Sequence, residues 1–200
     1  MSGKKKQRHS VKVRGFSLSR FSPPAFLAFF IGCGVGFAFY PSVTPPSMVS
    51  STDKAHIRAC FSPGGHCTQQ IVTAIDSAQS SILVMAYSFT SPQIAEALSE
   101  AFQRGVDVKI LIDKSQLKEK YCQLSLLLQK GIPVFIDSAR GLAHNKVMIF
   151  DNRYVLSGSF NFTRAAESKN AENILLIEDP SLAQIYKNNW DERAAQAKKL

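Results

Sequence analysis

No acidic residue occurs in the first 20 positions of this 200-residue chain, although seven basic ones do: Lys4, Lys5, Lys6, Arg8, Lys12, Arg14 and Arg20. Removing these seven from the 24 basic residues leaves 17 against all 15 acidic ones, so the body carries a net charge of only about +2. The formal charge of +9 therefore describes a tail, and binding driven by bulk charge alone is not expected of the rest. An apolar run of the usual membrane-spanning length, about 20 residues, is also missing. The stretch Ala25–Tyr40 stops at 16. No Asp or Glu cluster stands at metal-ligand spacing, so no divalent ion and no cofactor is expected. Internal repeats are absent. Cysteine is scarce, with only Cys33, Cys60, Cys67 and Cys122.

What is present divides the chain into four parts. Residues 1–24 form a basic tail, expected to be cytoplasmic, and residues 25–40 (AFLAFFIGCGVGFAFY) an apolar leader helix without a charge. The leader fits a secretory signal with a small-x-small site at Gly36-Phe37-Ala38, or an uncleaved membrane anchor; a buried core helix is the third reading. In the first two cases the positive-inside rule exports everything after Tyr40, to a periplasm or to the outer face of a membrane. Residues 41–52 (PSVTPPSMVSST) read as an extended linker. Residues 53–200 remain for one folded domain, and the 45% hydrophobic and 20% charged composition is globular. Export favours a disulfide between Cys60 and Cys67 across the Pro-Gly-Gly turn; free thiols, or zinc held by these two with His66, are the alternatives.

Hydrophobic periodicity orders the domain. A helix from Thr68 with Ile71, Val72, Ile75 and Ala78 on one face precedes a strand over Ser81–Tyr87. Ser91-Pro92 then starts a helix that Gly105 ends, followed by a strand over Val106–Ile112. Leu117–Gln129 is helical in period, and Ile132–Ile136 reads as a strand. Such αβ alternation calls for parallel strands with helices on both faces. The pattern then changes. Lys146–Phe150 and Tyr154–Leu156 read as a hairpin around Asp151-Asn152-Arg153, Asn173–Ile177 as a further strand, and Pro180–Lys199 as a terminal helix, with Tyr186 and Trp190 on its core side. The fold class is α/β, a mixed sheet between helices.

Within the hairpin, His144 and Lys146 lie two residues apart and so project to one face of a strand. Ser159 and Asn161, again two apart, follow Gly158 on the returning chain. An imidazole, an ammonium, a hydroxyl and an amide suit the holding and attack of a phosphate. The segment from His144 through Lys146, Asp151, Gly158 and Ser159 to Asn161 matches all six fixed positions of H-x-K-x4-D-x6-G-S-x-N. By chance this is expected roughly once in tens of millions of start points. The sequence thereby resembles the phospholipase D superfamily, and from about Cys60 onward its small single-motif bacterial endonuclease branch.

The resemblance implies that one His attacks phosphorus to form a phosphohistidine, while a second His from a paired motif protonates the leaving oxygen. No second His-x-Lys precedes the motif here, so a homodimer with both His144 side chains at one phosphate is implied. Glu172 matches the carboxylate that orients the imidazole in that branch. Asp151 is expected to be structural. Nucleic acid is the favoured substrate, with Arg140, Arg153, Arg164 and Lys169 near the motif as phosphate contacts. Phospholipid head groups are the alternative, and a membrane-tethered nucleic-acid-binding module without catalysis is a further one.

Overall fold

The computed structural model of the protein describes residues 56–138 and 140–200. The tail, leader, linker and residues 53–55 lie outside this range. Among the described residues eight strands form one sheet: β1 (His56–Ser62), β2 (Ser81–Ala86), β3 (Asp107–Asp113), β4 (Val134–Asp137), β5 (Lys146–Phe150), β6 (Tyr154–Gly158), β7 (Glu172–Glu178) and β8 (Lys198–Lys199). Their spatial order is β1-β7-β6-β5-β2-β3-β4-β8. The helices are α1 (Cys67–Ser77), α2 (Pro92–Gln103), α3 (Leu124–Gln129), α4 (Arg164–Ser168) and α5 (Pro180–Ala194).

Only β2, β3 and β4 are parallel, the part of the chain in which helices and strands alternate. β5, β6, β7 and β1 join antiparallel. The β5–β6 hairpin has a local cause: Asp151 and Asn152 take φ of 53° and 50°, the left-handed pair that closes a tight turn. In β2, every residue from Ile82 to Ala86 is buried, as a strand covered on both faces must be. Ile82, Val84 and Ala86 pack with Ile71, Ile75, Ile94 and Leu98 from α1 and α2, and Leu83 and Met85 with Ala183 and Trp190 from α5. The Trp190 indole N–H donates to the Val84 carbonyl at 3.0 Å, so the α5 layer is tied to the central strand by more than apolar contact.

Four features depart from the periodicity reading. The single helix expected over Leu117–Gln129 is a 3-10 turn at Lys114–Lys118, then irregular chain, then α3. Tertiary bonds prevail there: the Gln116 side-chain carbonyl accepts from Phe89 N at 3.3 Å and Gln123 N donates to Phe89 O at 2.9 Å. The terminal helix ends at Ala194, and Lys198 pairs with Ile136 instead. α4 was not expected. Nor was β1, an edge strand whose residues up to Ala59 are exposed and therefore carry no clean alternation. Cys60 and Cys67 do form a disulfide, joining β1 to the start of α1, which removes the zinc alternative with His66.

Candidate active site

β5 places the first two functional side chains. Lys146 stands opposite Ala86 of β2, and with Met148 and Phe150 it faces the α1–α2 side of the sheet. Lys146 is 7% exposed, while His144, just before the strand, is exposed. The Lys146 ammonium lies 3.0 Å from His144 Nδ1, 3.2 Å from Nε2 and 3.0 Å from the His144 carbonyl oxygen. An ammonium only donates, so the ring nitrogen that accepts from it carries a free lone pair in this arrangement. The Tyr87 ring packs 4.4 Å from the His144 ring and 5.1 Å from Lys146 Nζ. Burial pushes the Lys146 pKa below the ordinary lysine value, partly opposed by the Glu172 charge.

The second half of the motif is held by alternation. Phe160 and Phe162 are fully buried, so Ser159 and Asn161 turn the other way. Each buried Phe contributes about 2–3 kcal/mol, enough to offset the roughly 1–2 kcal/mol per residue spent ordering this irregular segment. Phe162 also bridges to Phe89 and packs edge-on against it at 5.9 Å. Gly158 permits the approach of β7, since a Cβ there would collide with the Asn173 carbonyl. That carbonyl accepts from Ser159 N at 3.1 Å, and Ser159 Oγ accepts from Asn173 N at 3.1 Å and can accept from its side-chain amide at 3.3 Å. Asn161 Oδ1 is buried with no hydrogen-bond partner among the described residues.

The structure brings together His144, Lys146 and Tyr87 by direct contact, with Glu172 close enough for its charge to act on Lys146. It does not join Glu172 to His144 by a hydrogen bond: the Glu172 carboxylate accepts from the Asn170 amide at 3.1 Å. An orienting role requires it to turn toward the imidazole. Asp151 is at the other end of β5. Its carboxylate accepts from Gln79 N at 3.0 Å, Ser80 N at 2.7 Å, Ser80 Oγ at 2.8 Å and Ser81 N at 3.0 Å. Burial alone raises the Asp151 pKa, but these donors outweigh it and hold the carboxyl below its usual range. Arg153 shares that far end and pairs with Glu178 at 2.5 Å, so it does not flank the reacting phosphate as the sequence suggested.

Two residues of the site went unmarked in the sequence. Asp113, fully buried at the end of β3, accepts from Ala143 N at 2.7 Å and Ser115 N at 2.9 Å and so fixes the chain entering His144. Its pKa is lowered: burial works against this, and the bonds from Ser115 and Ala143 prevail. Tyr87 follows β2 directly, and its backbone N–H donates to Asn145 O at 2.8 Å. The available signal for both was position, a polar or aromatic residue ending an apolar strand beside the motif strand.

A mixed sheet with this histidine–lysine pair at the start of a central strand defines a phosphodiesterase class, and comparison with known proteins agrees. Residues 71–194 match the family described as "Cardiolipin synthase, PLD-like domain". The chain is 41% identical over 188 residues to "Phospholipase D" of Rickettsia bellii (strain RML369-C), covering 86% of this chain and 94% of the relative. It is 31% identical over 122 residues to "Mitochondrial cardiolipin hydrolase" of Mus musculus, covering 61% of this chain and 55% of that protein. The crystal structure of the phospholipase D family member Nuc from Salmonella typhimurium superposes with a TM-score of 0.70 at 41% identity, over 74% of this chain and 99% of Nuc. NucT from Helicobacter pylori, at 22% identity over 74% of this chain and 100% of its own, shares the fold with a TM-score of 0.68. The chain belongs to the phospholipase D superfamily. It is a phosphodiester hydrolase of that superfamily.

Proposed function

We propose that the protein is a metal-independent endonuclease that hydrolyses DNA or RNA at an active site shared by two copies. The observation that carries this is the exposed His144, in contact with the Lys146 ammonium and with the Tyr87 ring, which together with Asn161, Lys120, Thr163 and Arg164 lines the adjoining groove. A ring nitrogen of His144 bonds to phosphorus as the phosphorus–oxygen bond to the leaving nucleoside breaks. His144 of the partner subunit gives its proton to that oxygen, then takes one from the water that displaces the first histidine. Lys146 and Asn161 hold the charged phosphate oxygens through both steps, Ser159 steadies this end of β7, and Glu172 steadies the imidazolium. One His-Lys set per chain makes the second copy a condition of activity. The Cys60–Cys67 disulfide supports work in an oxidising compartment outside the cytoplasm, anchored or released according to the fate of residues 25–40.

Phospholipid is the second reading, favoured by Leu142, 57% exposed only two residues before His144. The detergent-solubilised full chain is expected to nick plasmid DNA in EDTA, and His144→Ala to abolish nicking. Lipid head-group release without nicking would reject the nuclease. Sedimentation at micromolar concentration should give a dimer, and an active monomer would overturn the shared site.

A further inference from the structure

The groove beside the site has features that phosphodiester chemistry alone does not use. It measures 830 Å³ and runs from Tyr87 and Asn161 to Lys120 and Tyr121 on one side and Arg164 on the other. The Tyr87 ring touches His144 and lines the groove, so the groove adjoins the place of a phosphate held at His144 and is within reach of the next residue of such a substrate. The far wall is the irregular stretch before α3, and it is built rather than loose. Cys122 N donates to Glu119 O at 3.2 Å, Tyr121 N to the Glu119 carboxylate at 3.3 Å, and Gln123 N to Phe89 O at 2.9 Å. Those bonds hold Tyr121 outward, 66% exposed, with the Lys120 ammonium 5.4 Å from its ring centroid. Of the three charged residues lining the groove, Glu119 is turned back on its own loop, which leaves Lys120 and Arg164 to face a ligand.

We infer that this groove is a subsite for an unpaired nucleotide next to the scissile phosphate: Tyr121 stacks on the base, and Lys120 and Arg164 take the adjacent backbone phosphate. An aromatic face beside cations is what a single strand can use, because every base has a π-face and a neighbouring phosphate. A duplex covers its base faces with neighbouring pairs, so Tyr121 discriminates against it. An acyl chain gains nothing from the two cations. The inference rests on the nuclease reading and narrows it to single-stranded nucleic acid.

The test uses the full chain with a single-stranded oligonucleotide, the same oligonucleotide annealed to its complement, and bis(4-nitrophenyl) phosphate, which reaches His144 but brings neither a nucleobase for Tyr121 nor a second phosphate for Lys120 and Arg164. The readout is the ratio of kcat/KM for the single strand to that for the small diester. Tyr121→Ala is expected to lower this ratio about tenfold, within the range of one lost stacking contact, and Tyr121→Phe to keep it. Lys120→Gln and Arg164→Gln should each flatten the dependence of log KM on log salt by about 0.7. An unchanged ratio in Tyr121→Ala, an equal fall in Tyr121→Phe, or wild-type preference for the duplex would overturn the subsite. Hydrolysis of the small diester with no cleavage of either nucleic acid would instead sink the nuclease reading, and the subsite with it.

Discussion

Replacing Asp151 by Asn should unfasten the sheet from the turn after α1 while leaving the chemistry in place. The carboxylate holds three backbone N–H groups and one hydroxyl from residues 79–81, at the end of β5 remote from His144. Asparagine keeps one acceptor oxygen, so the bonds from Ser80 and Ser81 lose their charge assistance, and its NH2 faces the N–H of Gln79. A charge-assisted bond contributes about 1 kcal/mol more than a neutral one, and this partly exposed turn roughly halves the total, giving a loss of about 2 kcal/mol. Backbone strain adds nothing, since Asn tolerates the left-handed φ of 53° at this position. The expected fall in Tm is about 4–8 °C at neutral pH. Because the folded pKa is depressed, the stabilisation is complete above the ordinary carboxylate pKa and is lost as pH falls through the lowered one. The difference in Tm between wild type and variant should therefore close in acid. Calorimetry gives Tm, and kcat on bis(4-nitrophenyl) phosphate, measured where both proteins are folded, should agree within about threefold. An unchanged Tm with kcat down by about a thousandfold would refute the structural assignment and place Asp151 in the reaction.

Gly158→Ala forces a methyl group into the Asn173 carbonyl, so Tm should drop by the equivalent of about 2 kcal/mol and kcat should fall with it as Ser159 moves; a silent substitution would disprove the close approach. Lys146 must stay protonated to hold phosphate, and burial lowers its pKa. The alkaline limb of kcat/KM should thus lie below the ordinary lysine range and shift upward in Lys146→Arg, whereas a limb that does not move belongs to another group. Reduction of the Cys60–Cys67 disulfide, which closes a loop over a sequence separation of 7, should cost about 2–3 kcal/mol, read as a lower Tm in reductant. Equal Tm with and without reductant would show that the β1–α1 link does not constrain the unfolded chain.

The sequence by itself determined whatever depends on spacing along one segment. His144 and Lys146 share a face because strand side chains alternate. Phe160 and Phe162 turn inward for the same reason and leave Ser159 and Asn161 for the site. Ser91 caps α2, its Oγ accepting from Ile94 N at 3.5 Å, as a serine before a proline-led helix should. The resemblance implies a structural Asp151, and its carboxylate accepts from Ser80 N and Ser81 N at the end of β5 remote from His144. Only the tertiary structure decided what depends on which distant segments meet. The helix expected over Leu117–Gln129 yields to bonds with Phe89, and that broken stretch is what exposes Tyr121 beside the site. Asp113 acquires its role from Ala143, 30 residues away. Arg153 is taken by Glu178 across the sheet. Local periodicity sets the direction of a side chain through backbone geometry alone, but its partner is chosen by the packing of remote elements, which no pattern within one segment contains.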